Sequence, residues 1–123
     1  MQFSFYLPCR FRIERTGIDS VGRIAAGYGR RAFVVLSPSL KDSFVTDKLE
    51  LSFEAAGVEF QVFFKPHGEP SPDMVRAAAA QMREFGPQVV VAIGGGSVLD
   101  LAKAVSGMYP NGGEIKPYLE GVG

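Results

Sequence analysis

The chain has 123 residues, 46% of them hydrophobic, and thirteen basic side chains balance thirteen acidic ones. A net charge of zero excludes the basic footprint that would draw a nucleic-acid backbone or an anionic membrane surface. No apolar run approaches the roughly 18 residues of a membrane span, and the length suits one domain that buries roughly two-thirds of its unfolded surface.

Gln2 to Tyr6 and Arg10 to Glu14 read as two short strands joined across Leu7-Pro8. Phe3, Phe5, Phe11 and Ile13 alternate with more polar neighbours, as in a half-exposed hairpin. Such a hairpin either covers the rim of a sheet or forms the edge of a homodimer. Cys9 is the single cysteine and has no partner for an internal disulfide, which suits a reducing cytoplasm. Arg10 and Arg12 interrupt the N-terminus too early for a secretory apolar segment.

Ile18 to Tyr28 follows as a helix with Val21, Ile24, Ala25 and Tyr28 on one stripe and Gly29 as its stop. Ala32 to Leu36 is a buried strand, and Ser37-Pro38-Ser39 leads to helical turns around Leu40 and from Thr46 to Ala56, closed by Gly57. Val58 to Phe64 is the next strand and residues 65–72 a polar loop. Asp73 to Phe85 is a helix with Met74, Ala77, Ala78, Met82 and Phe85 inward. Val89 to Ile93 is a continuous apolar run of the kind buried on both faces of a parallel sheet. Ser97 to Met108 is helical, capped by Ser97, with Val98, Leu99, Leu101, Ala102 and Val105 apolar. Asn111-Gly112-Gly113 then turns toward a short last segment with no convincing element of its own. Strand and helix alternate throughout, so the fold class is α/β: a Rossmann-like open parallel sheet with helices on both faces, preceded by the short hairpin. The high apolar content points to one face covered by a further domain or subunit.

Gly94, Gly95 and Gly96 form a tight strand-to-helix turn. First-turn amides lack intrahelical partners and the helix dipole favours negative charge, so such a turn suits an anion. The alternative is a turn that merely lets helix and sheet pack closely. Gly94 to Leu99 departs from the G-x-G-x-x-G fingerprint at Leu99, and it lacks the Gly-Lys-Ser/Thr ending of a P-loop. Glu114 lies at the distance of a ribose-binding acid but follows a turn rather than a strand, so its spacing is read as coincidence.

The string from Gly94 to Ala104, Gly-Gly-Gly-Ser-Val-Leu-Asp-Leu-Ala-Lys-Ala, resembles the G-G-G-S-x-x-D-x-A-K-A motif of the iron-containing alcohol dehydrogenase family. Phe5-Tyr6-Leu7-Pro8, Gly68-Glu69-Pro70-Ser71 and Tyr118-Leu119-Glu120-Gly121 are similar to that family as well. Arg15 stands where the family usually has the first glycine of a G-x-G turn, with Thr16-Gly17 after it. The resemblance covers the family's N-terminal, nucleotide-binding part, so residues 1–123 are expected to be one dinucleotide-binding domain without the helical domain that carries the Asp and His metal ligands. Glycerol dehydrogenase and dehydroquinate synthase share the fold, but dehydroquinate synthases lack the Asp-x-Ala-Lys continuation.

The resemblance implies NAD or NADP as cofactor, with Gly94, Gly95, Gly96 and Ser97 at the diphosphate. Asp100 is either a ribose contact or a helix-capping residue, and its pairing with Lys103 is the plain reading of their three-residue spacing. Ser37 ends a strand where many members carry an Asp that binds the adenosine ribose and repels a 2′-phosphate. Glu69 lies in a loop that in the family approaches the same ribose, and its charge disfavours that phosphate. The two cues conflict, and the choice between NAD and NADP stays open. His67 and Cys9 do not make a metal site, which needs about three or four ligands. A divalent metal, iron or zinc, is therefore expected in the parent enzyme and not on this chain, and no catalytic residue is assigned. The expected partners are a dinucleotide and, in the parent, a small alcohol or aldehyde. A non-catalytic nucleotide-binding module and a subunit completed by a partner chain are the alternatives.

Overall fold

Two central strands, buried except for the Arg31 that opens the first, set the architecture of the computed structural model, which describes residues 18–108 and 114–118. The hairpin expected at residues 2–14, Cys9 and the Arg15-Thr16-Gly17 stretch lie outside the described residues. Four strands, β1 (Arg31–Leu36), β2 (Glu59–Phe64), β3 (Val89–Ile93) and β4 (Glu114–Tyr118), form one sheet in the order β2-β1-β3-β4. Every pairing is parallel, with Leu36 opposite Phe64 and Ile93, and Val89 opposite Glu114.

Helices α1 (Val21–Ala26) and α2 (Phe44–Ala56) cover one face, and α3 (Pro72–Phe85) and α4 (Gly96–Gly107) the other. Strand alternation divides the core accordingly. Ala32, Val34, Leu36, Val89, Val91 and Ile93 face α1 and α2, while Phe33, Val35, Val90 and Ala92 face α3 and α4. The chain steps from β1 to β2 in one direction and then from β2 past β1 to β3 in the other. Right-handed crossovers make that reversal carry α2 and α3 to opposite faces. The exposed large apolar side chains among the described residues are Phe44, Leu51 and Met108.

Local chemistry sets the element ends. Ser43 Oγ accepts from Val45 N at 3.2 Å and Ser71 Oγ from Met74 N at 3.2 Å, so α2 and α3 begin at their serine caps. The first helix is shorter than its apolar stripe: Ile18–Ser20 is a 3-10 turn, and the α-helix ends at Ala26 rather than running to Gly29. On α3, Met74, Ala78, Ala79 and Met82 are buried and Ala77 is exposed, because the helix rests its Ala78-Ala79 side on the sheet. The last segment, expected to be formless, is strand β4. Pro117 argues against a strand in sequence, yet an edge position tolerates a residue that donates no ladder hydrogen bond.

Candidate functional site

The amino edge of the sheet is closed by its own side chains. Gln88 Oε1 accepts from Arg30 N at 3.1 Å and Arg31 N at 2.9 Å, and Arg31 Nη1 donates to Phe85 O at 2.6 Å. Glu114 also starts its strand at this edge, paired with Val89, so it stands at the end of the sheet opposite the glycine turn.

The carboxyl edge is built differently. Ser37, Gly94 and Lys65 are the first residues after β1, β3 and β2, and they form a row. Ser37 N donates to Ile93 O at 3.1 Å, and Lys65 N to Leu36 O at 2.8 Å. The strand order reverses between β1 and β3, since β1 leads outward to β2 and β3 leads the other way to β4. In open α/β sheets the crevice at that reversal, outside the carboxyl ends, is where ligands bind. Ser37 and Gly94 flank it.

The three glycines play unequal parts. Gly94 has φ +149°, and a Cβ there would lie 2.9 Å from Val98 Cγ2 and 3.0 Å from Ser37 Cβ. Folding alone therefore requires this glycine. Gly95 and Gly96 are exposed, their φ values are ordinary, and an added Cβ would meet nothing within 4 Å. Protein packing leaves both glycines unexplained. Their missing side chains keep open space over the entrance of α4, the kind of cradle that a diphosphate fills.

Ser97 is not the cap of that helix. Gly95 holds the cap position without a side-chain bond, and its carbonyl accepts from Val98 N at 3.1 Å and Leu99 N at 3.2 Å. The turn is tight enough to start the helix at Gly96, which moves Ser97, half-buried, into the first turn. Asp100 is exposed beyond the first turn and caps nothing. Ion pairs join Arg31 to Glu59 and Asp73 to Arg76. Asp100 instead borders a groove of about 420 Å³ between α3 and α4, with Pro70, Val75, Arg76 and Met108. Ser37 is half-buried with its Oγ 2.9 Å from Ser39 Oγ, and Glu69 is exposed in the loop after β2.

Comparison with known proteins agrees with this architecture. Residues 8–123 match the family model described as iron-containing alcohol dehydrogenase. The chain belongs to the iron-containing alcohol dehydrogenase family. Among curated relatives of the family, sulfoacetaldehyde reductase of Bilophila wadsworthia is 36% identical over 90 residues, covering 73% of this chain and 23% of the relative. Among solved structures, the iron-containing alcohol dehydrogenase of Thermococcus thioreducens superposes with a TM-score of 0.68 at 30% identity, over 84% of this chain and 27% of that one. Sulfoacetaldehyde reductase of Bifidobacterium kashiwanohense, solved in complex with NAD+, gives a TM-score of 0.64 at 26% identity, over 86% and 28%. The chain thus spans about a quarter of the length of these family members.

Among the described residues no group of three His, Cys, Asp or Glu side chains is placed to hold a metal. No helix among them is long and apolar enough to cross a membrane. His67 is an exposed loop residue. Lys65 begins the stretch expected as a polar loop, yet only 3% of it is exposed, its ammonium donating to Pro66 O at 2.9 Å and to Gly68 O.

Proposed function

We propose that residues 1–123 form the dinucleotide-binding domain of a metal-dependent alcohol dehydrogenase, which interconverts an alcohol and an aldehyde or ketone by hydride transfer. The observation that carries this reading is the pair Gly95 and Gly96, whose open space serves no packing purpose and lies at a helix entrance beside the switch-point crevice. In the complete enzyme the nicotinamide takes or gives the hydride, and a divalent metal, iron or zinc, supplies a Lewis acid. This chain's task is binding and orientation. The backbone N–H groups of Gly95, Gly96 and Ser97, with the Ser97 hydroxyl, hold the diphosphate of NAD or NADP. Ser37 lies under the adenosine ribose, and Glu69 approaches it from the loop. Asp100 faces the groove between α3 and α4 and is the outlying member of the set. The protein works in the cytoplasm on a small alcohol or aldehyde, with no role for nucleic acid, and the N-terminal hairpin is the candidate homodimer edge.

The test is titration of the chain with NADH and NADPH, followed by the variants Gly95→Ala and Gly96→Ala. Saturable binding of at least one cofactor is expected. Each alanine should weaken it by about tenfold through contact with the diphosphate, while changing stability by no more than about 1 kcal/mol. Absent binding, or binding that both alanines leave intact, would sink the assignment.

A further inference from the structure

We infer that Lys65 is a positioning residue for cofactor binding: its buried ammonium braces the turn over residues 66–69, so that Glu69 is held in place before the cofactor arrives. The inference rests on the dinucleotide reading above, in which Glu69 approaches the ribose, and adds to it a residue that reading does not use.

A lysine side chain is normally exposed, because water solvates its charge better than a protein interior does. Lys65 is 3% exposed, whereas the four residues after it, Pro66, His67, Gly68 and Glu69, are all exposed. Its ammonium turns back onto that stretch and donates to the carbonyl oxygens of Pro66, at 2.9 Å, and of Gly68. Hydrogen bonds from a charged donor are about twice as strong as neutral ones. A buried charge thus ties down a turn whose own residues face water.

The restraints converge on Glu69. The Gly68 carbonyl and the Glu69 N–H belong to one planar peptide unit, so holding that oxygen fixes the plane from which Glu69 departs. Gly68 has φ +102°, and an added Cβ there would meet nothing within 4 Å. Packing therefore does not select this conformation; the bond from Lys65 holds it. Pro70 restricts Glu69 from the other side, since its ring disfavours helical backbone at the preceding residue. Both ends of the stretch are anchored as well. Lys65 N donates to Leu36 O at 2.8 Å on the carboxyl edge, and Ser71 caps α3. A carboxylate carried on a backbone braced from both sides gives up little backbone freedom on binding, which is how preorganisation raises affinity.

Fluorescence titration with NADH tests this on the unaltered chain, on Lys65→Met, on Glu69→Gln and on the double variant. Each single change should weaken NADH about tenfold, the effect of losing one charge-assisted bond. Because Lys65 acts through Glu69, the double variant should also lose only about tenfold, whereas independent effects would multiply to about a hundredfold. A multiplied loss overturns the inference and leaves Lys65 a strut for the fold alone. So does a Lys65→Met or a Glu69→Gln variant that binds NADH as tightly as the unaltered chain. Should Lys65→Met lose its cooperative unfolding transition, Gly68→Ala takes its place in the cycle, because it disturbs the same turn from an exposed position, and the same outcomes decide. NADPH binding without NADH binding overturns this inference alone. Binding of neither removes the dinucleotide reading with it.

Discussion

A glycine can be present for the protein or for its ligand, and this chain holds both kinds side by side. At Gly94 an alanine would be forced into a positive φ and against Val98 and Ser37. Gly94→Ala should cost about 1–3 kcal/mol, the range for a strained backbone and a local overpack. Gly95→Ala, in an extended conformation with open space around it, should stay within about 0.5 kcal/mol. Urea denaturation of the two variants checks the contrast, and equal losses would mean that the strain argument at Gly94 is wrong. The three glycines look identical in sequence because φ and neighbouring atoms are not written in residue names.

At the scale of elements, α1 and α2 approach closely at Gly22. A Cβ on Gly22 would lie 2.1 Å from Ser52 O and 2.8 Å from Phe53 N, both backbone atoms that cannot turn aside. Ser52 Oγ accepts from Gly22 N at 2.8 Å and donates to Asp19 O at 2.9 Å, which ties the start of α1 to the middle of α2. Gly22→Ala should push the helices apart and cost about 1–3 kcal/mol or more. Ser52→Ala should cost about 1–3 kcal/mol, because it leaves the buried Gly22 N–H without its acceptor. A lowered urea midpoint with an unchanged slope is the expected signature of both. By contrast the Arg31–Glu59 pair is solvent-exposed on both sides and contributes at most about 1 kcal/mol.

At the scale of the whole molecule, the carboxyl edge brings the glycine turn, Ser37 and the buried Lys65 into one row. Under the proposed function this edge takes the cofactor, while among the described residues no group of three His, Cys, Asp or Glu is placed to hold a metal. Supplied with NAD or NADP, iron or zinc and a range of alcohols, the chain should therefore show no turnover above background by the absorbance of reduced nicotinamide. Turnover would show that the reaction needs less of the family's length than this reading assigns to it.

Sequence alone determined the order of the strands and helices from β1 to α4, because burial writes its period into side-chain hydrophobicity. Val89 to Ile93 and Ala32 to Leu36 announce strands buried on both faces, and Gly57 marks a helix end; the Ser43 and Ser71 caps and the Gly86 stop came from the structure. The family motif from Gly94 to Ala104 was legible for the same reason: its residues are contiguous. Tertiary structure alone decided what depends on atoms distant in the chain. It made β4 a strand by lending it β3 as a partner, although Pro117 argued against it locally. It separated Gly94 from Gly95 and Gly96, moved the cap of α4 from Ser97 to Gly95, and turned Lys65 from a loop residue into a buried charge beside Ser37. Each of these is a property of neighbours brought together by strand pairing, and pairing follows from the burial of the whole sheet rather than from any one segment.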